Sequence, residues 1–180
     1  MTDAALDALR YPVGKFQPIP TGTKDDRARW IDEIARAPEI LAGLVQGLTP
    51  AQLGTPYREG GWTVAQTVNH VADSHINAYI RTRFVLTEDD FTVKPYAEAK
   101  WAMLADAAAL DVSPSIALLR ALHTRWVMLL RAITPEQFVK PFTHPESGPM
   151  TLDKLIQLYE WHGRHHAAHI RTLKARNGWV

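Results

Sequence analysis

One helical seam restricts the fold of this chain more than any other feature: Leu152, Leu155, Tyr159, His162, His166, Ile170 and Leu173. Spaced by three and four residues, these side chains share one helix face, and its apolar members require that face to be buried. His162 and His166 therefore stand one turn apart inside a core rather than on a solvent face. A buried imidazole without a hydrogen-bond partner or a ligand is costly, and histidine is the commonest neutral metal ligand. Trp161 to His169 carries four of the chain's eight histidines, His162, His165, His166 and His169. The seam thus predicts packed helices around a bound divalent metal.

Three further long helices follow from pattern and capping. The first is expected from about Lys24 to Gly47, with Trp30, Ile31, Ile34, Ile40, Leu41 and Leu44 as its apolar set. Pro38 should kink or restart it, because proline lacks the backbone donor a helix interior needs. Thr63 and Gln66 form a capping-box pattern that opens a second helix, reaching about Leu86. Ser113-Pro114 reads as an N-cap followed by proline at the first helical position, opening a third helix to Ala132. The fourth runs from Thr151 to the terminator Asn177-Gly178. No segment keeps a period-two alternation, so strands are at most minor. The predicted fold is all-α: a four-helix bundle in one domain over 1–180, with an extended arm over 1–23 and a long crossover from Thr87 to Val112 between the second and third helices. A faint internal repeat is present, Leu48-Thr49-Pro50-Ala51-Gln52-Leu53 against Ile133-Thr134-Pro135-Glu136-Gln137-Phe138. Each copy is followed by a Pro-aromatic pair, a Gly-containing loop and a threonine-capped helix.

Composition narrows the function. Twenty Lys and Arg stand against nineteen Asp and Glu with no basic block, which argues against a nucleic-acid partner. No apolar run approaches the ~20 residues of a membrane span, and Met1-Thr2-Asp3-Ala4 does not have the layout of a secretory signal. A cytoplasmic protein is the expectation. With no cysteine, disulfides, thiol nucleophiles and thiolate metal sites are excluded.

A third metal ligand must come from elsewhere. On the second helix His75 shares a face with Val64, Val68, Val71 and Tyr79, so spacing favours it as inward-facing. His70 lies on a polar stripe with Thr63, Thr67, Ser74, Asn77 and Arg81, a stripe that faces either water or a polar cavity. His123, beside Arg125 and Trp126, is a further candidate. Against these stand plainer roles. His75 fits a satisfied core histidine, His165 and His169 fit residues behind the ligands or on the surface, and His144 fits a turn. The tryptophans fit packing. Arg81 and Arg83 suit either an acidic substrate or the helix C-terminus.

Several blocks resemble a known family. Tyr11-Pro12-Val13-Gly14-Lys15-Phe16, Gly60-Gly61-Trp62-Thr63, His70 through Asn77, Lys94-Pro95-Tyr96, Leu122 through Trp126, His144-Pro145-Glu146 and Trp161 through Ile170 are similar to the YfiT group within the DinB-like superfamily. The blocks span nearly the whole chain. The resemblance implies a four-helix bundle, a homodimer, and one divalent metal per subunit, zinc or nickel, held by His70, His162 and His166. It thereby favours His70 over His75. Three neutral imidazoles leave an ion its full charge and an open position, the pattern of a catalytic site, and such an ion lowers the pKa of water to roughly 7. Members are described as metal-dependent hydrolases, and some resemble S-transferases that use a low-molecular-weight thiol such as bacillithiol. A small-molecule substrate is implied by either activity. A non-catalytic, metal-stabilised binding protein is the third alternative, and a fourth protein ligand such as His75 or His123 would favour it. Asp73, Ser74 and Glu160 are candidates for proton carriage or ligand support, and Arg164 either alters charge near the ion or points outward.

Overall fold

Threonine hydroxyls start three of the four long helices. Thr23, Thr63 and Thr151 accept the backbone N–H of Asp26, Gln66 and Lys154, and at the first two the Asp26 and Gln66 side chains return the bond to the threonine amide. Each reciprocal pair satisfies two donors that a helix start would otherwise leave free. The computed structural model describes residues 3–179; Met1, Thr2 and Val180, the ends of the sequence-predicted domain and arm, lie outside them. In order the elements are α1 (Asp3–Arg10), α2 (Lys24–Val45), α3 (Pro50–Leu53), α4 (Val64–Thr87), α5 (Glu98–Trp101), α6 (Ser113–Arg131), α7 (Pro135–Phe138), β1 (Pro141–His144), β2 (Gly148–Thr151) and α8 (Leu152–Asn177). Among the described residues no helix is long and apolar enough to cross a membrane.

The bundle consists of α2, α4, α6 and α8, with α2 and α4 each packed on both α6 and α8. Two apolar clusters fix the directions. One joins Trp30, Ile31 and Ile34 of α2 and Leu152 to Tyr159 of α8 to Ala78 and Val85 of α4 and Trp126 to Leu130 of α6. The other joins Leu41 to Val64–Ala72, Ile116, Leu119 and Ala167–Leu173. The early halves of α2 and α8 thus meet the late halves of α4 and α6. It follows that α2 and α8 are parallel to each other and antiparallel to α4 and α6. Because α4 and α6 run the same way, the chain between them must return along the whole bundle, and this is why residues 88–112 are long. That crossover is tied down. Val93 N–H donates to Thr143 O and Thr143 N–H to Phe91 O, while Gln66 Nε2 and Asn69 Nδ2 donate to Ala102 O and Ala107 O.

The sequence repeat is structural. Pro56 bridges Thr63 antiparallel just as Pro141 pairs with Thr151, and α3 and α7 are its two one-turn helices.

Three expectations need correction. The arm is not extended throughout, since residues 3–10 form α1; residues 11–23 carry no helix. The helix lies ahead of the Pro- and Gly-rich part that excludes one. Ser113 is not the cap of α6 but its first residue, and its N–H bonds the Asp111 carboxylate. Finally, of the kink or restart expected at Pro38, the restart is excluded, because α2 continues through it. Proline there removes one donor, the one that would reach the Ile34 carbonyl, and that oxygen lies 2.6 Å from His123 Nδ1 of α6 instead.

Candidate metal centre

Between the two apolar clusters lies a layer of histidines. His70 and His75 come from α4, His123 from α6, and His162 and His166 from α8. Nitrogen atoms of His70, His162 and His166 all lie within 4.8 Å of one another, and His70 Nε2 is 3.2 Å from His162 Nε2. The polar stripe of α4 therefore faces inward: Thr67, His70 and Ser74 are all buried. Gly163, one residue after His162, packs against Ala37 of α2, where an added Cβ would sit 3.4 Å from the alanine methyl. Trp62, one residue ahead of the Thr63 cap, covers the group, its ring 4.4 Å from that of His70 and 6.2 Å from that of His166.

Burial keeps these rings neutral. It lowers His70 from 6.5 to about 4 and holds His162 and His166 well below the usual range, with neighbouring imidazoles adding repulsion to any charge. Neutral imidazoles offer lone pairs, which a divalent cation requires. Two nitrogens that share one zinc at ~2.1 Å lie about 3.0–3.4 Å apart at ordinary coordination angles. The 3.2 Å His70–His162 spacing fits that window.

His75 is fully buried and does not join the three. Its Nε2 lies 3.2 Å from His162 Nδ1 and its Nδ1 2.9 Å from His123 Nε2, so it sits behind a ligand candidate rather than among them. Sequence spacing detected its burial but not this linkage, which joins three helices. His165, His166 and His169 form a second group of similar spacing. A neutral imidazole has one lone pair, so His166 can serve only one group at a time; His169 donates through Nε2 to Arg10 O at 3.1 Å and keeps its lone pair on Nδ1. His165 and His169 are buried against Trp161 and Tyr57 rather than on the surface.

The remaining candidates separate clearly. Arg164 points outward and pairs with Glu160, which removes both from the site. Asp73 is half-buried and held above the usual carboxylate range by burial and by Asp106, and no hydrogen bond joins it to the histidines. Ser74 Oγ donates to Tyr159 Oη at 3.4 Å, and Arg81 Nη1 does so at 3.5 Å. Tyr159 lies one turn before His162, its ring 5.6 Å away. Arg81 is not in the last turn of α4, so the helix C-terminus does not explain it. His144 ends β1 and accepts the Glu146 N–H, a turn role as expected.

Comparison with known proteins agrees with this geometry. Residues 25–170 match the family model of the DinB superfamily. A Bacillus mycoides (strain KBAB4) protein is 50% identical over 171 residues, covering 95% of this chain and 98% of its own. YfiT of Bacillus subtilis (strain 168) is 45% identical over 172 residues, covering 95% and 97%. Both carry the name "Putative metal-dependent hydrolase". The solved structure of the Bacillus subtilis YfiT, described as having an unusual four-helix bundle topology, superposes with a TM-score of 0.94 at 44% identity, covering 96% of this chain and 99% of that one.

Proposed function

The chain belongs to the DinB superfamily, and from that premise we propose that it is a metal-dependent hydrolase whose divalent ion, zinc or nickel, is held by His70, His162 and His166. One observation carries this: three neutral imidazoles converge from two helices, and among the described residues no fourth side chain joins the group. His75 is the nearest rival, and both its ring nitrogens are engaged elsewhere. Structural zinc sites close with four protein ligands, whereas catalytic ones keep a position open. When bound, a divalent ion there supplies Lewis acidity that activates a water, or equally a small thiol, near neutral pH.

The surrounding residues hold and orient a substrate. Tyr159 is buried, and burial raises its phenol, so the hydroxyl keeps its proton. Because it accepts from Ser74 and Arg81, that proton is free to be donated to a substrate oxygen. Arg81 makes no ion pair within 4 Å among the described residues, and its charge, which acts on the Glu98 carboxylate at longer range, is placed to attract an anionic substrate group as well. Trp62 shields the histidines from water on one side.

Elemental mass spectrometry of untagged protein is expected to find about one equivalent of zinc or nickel, as a single three-histidine site requires. Alanine at His70, His162 or His166 should weaken zinc(II) binding by at least ~100-fold, since ~10–16 kcal/mol over four ligands averages about 3 kcal/mol each. Alanine at His165 should leave the ion in place. Metal-free protein that stays folded and takes up no added ion would sink the proposal. Ester or amide hydrolysis without added thiol supports hydrolysis, and turnover only with a small thiol would assign transfer instead.

A further inference from the structure

A proline inside a helix leaves one carbonyl without its donor. Pro38 lies within α2, and the residue four positions earlier is Ile34. His123 Nδ1 is 2.6 Å from that carbonyl oxygen. A carbonyl can only accept, so Nδ1 of His123 must carry the proton.

From this fixed end the remaining protons follow. His123 is 2% exposed, and a buried ring stays neutral, so its Nε2 holds a lone pair. His75 Nδ1, 2.9 Å away with the two ring planes within 12° of parallel, donates to it. His75 is fully buried and likewise neutral, which leaves its Nε2 to accept. His162 Nδ1, 3.2 Å away, donates to that atom. The last free lone pair is then on His162 Nε2, which faces His70 Nε2. All three bonds run in one direction. The reverse order would require the Ile34 oxygen to donate.

We propose that Pro38, His123 and His75 are positioning residues that lock His162 as its Nδ1–H tautomer and so present its Nε2 lone pair to the ion. The proposal rests on the metal-binding role assigned to His162 above. Free histidine favours the opposite tautomer, so an unsupported His162 would have to shift its proton before it could ligate through Nε2. The nitrogen opposite the ligating one sets tautomer and ring orientation in metal sites, and its partner is usually a carboxylate, a backbone carbonyl or water. Here two further imidazoles carry the constraint across three helices to a carbonyl that a proline has freed. The buried Nδ1 of His166 has no hydrogen-bond partner among the described residues, and the imidazole chain from Ile34 ends on His162.

Two-bond proton–nitrogen correlation spectra of the 15N-labelled, metal-free full chain read the tautomers directly. His162, His75 and His123 are expected as Nδ1–H with Nε2 unprotonated. In His123→Phe, zinc(II) titrated against a competing chelator should bind ~10–100-fold more weakly, and His162 should become a mixture of tautomers. His123→Gln, with both a donor and an acceptor, should recover much of the affinity, which a space-filling role for His123 would not predict. Pro38→Ala restores a competing N–H, and it should melt no lower than wild type yet bind zinc(II) more weakly. His162 found as Nε2–H in wild type, or unchanged zinc(II) affinity in folded His123→Phe, overturns the proposal. Should His123→Phe not fold, the wild-type spectrum and Pro38→Ala still decide. Wild type that binds no zinc(II) while showing His162 as Nδ1–H would refute the metal role and leave the tautomer lock standing.

Discussion

Metal-free protein is expected to lose several kcal/mol of stability between pH 6.5 and 4, largely above the range in which its carboxylates titrate. Burial lowers His70, His123, His165 and His169 from 6.5 to about 4, and it holds His75, His162 and His166 well below the usual imidazole range. In the unfolded chain these rings take up a proton near pH 6.5, whereas in the folded chain they resist it. Between the two values the unfolded state binds more protons, so stability falls as pH falls and is whole again above the unfolded value. One ring displaced like His123 accounts for on the order of 3 kcal/mol. The rings share one layer and repel each other once charged, so their effects do not simply add. A few together still approach the ~5–15 kcal/mol of a whole domain. Urea midpoints of chelator-treated protein should hold steady above pH 7 and drop most steeply near pH 5–6, within the histidine window. Saturating zinc(II) should push the drop to lower pH, because ion and proton compete for the same lone pairs. A midpoint that does not move from pH 7 to 4.5, a span the histidine shifts cover, would contradict the neutral-histidine layer.

Much of the chemistry written within one or two turns was legible in the sequence, although Ser113-Pro114 puts the cap of α6 one residue late. The Thr63–Gln66 box, the Gly178 terminator and the α8 seam are such signals, and the structure reproduces each, with His162 the one half-buried member of the seam. The Thr-Pro-x-Gln repeat also carried through to paired one-turn helices. Periodicity failed at His70 for a physical reason: α4 is buried on nearly every side, from Val64 through His75, so a polar stripe need not face water. Resemblance to a family, not spacing, favoured His70 over His75. The His162–His75–His123 linkage spans separations of 87 and 48 residues, and no local pattern encodes it. Pro38 shows the same limit. Its missing donor was legible, and the prediction of a kink or restart followed, but the side chain that would use the freed carbonyl lies 89 residues away.

Replacing Asp153 with alanine is expected to cost roughly 3–5 kcal/mol, the usual penalty when one partner of a buried ion pair is removed. Asp153 is 1% exposed and receives Arg27 Nε and Nη2, each at 2.7 Å, together with the Gly22 N–H at 3.2 Å. The variant leaves a guanidinium with 12% of its side chain exposed and no carboxylate, stacked 4.5 Å above the Phe138 ring. Gly22 lies so close to the Trp30 ring that an added Cβ would sit 2.4 Å from it. Asp153→Asn should fall between wild type and alanine, because an amide places donors against donors at one of its two positions. Arg27→Met combined with Asp153→Leu should recover most of the loss, since apolar replacement of both partners removes the stranded charge. Urea unfolding of wild type, Arg27→Met, Asp153→Leu and the double variant gives the coupling directly, and a loss below about 1 kcal/mol for Asp153→Ala would place the pair among weak surface bridges. The consequence reaches the histidines. Asp153 fixes the first turn of α8 against α2, and His162 follows on the same rigid helix at 1.5 Å per residue. A slip there displaces His162 and His166 together relative to His70, so zinc(II) affinity should weaken in Asp153→Ala and return in the double variant.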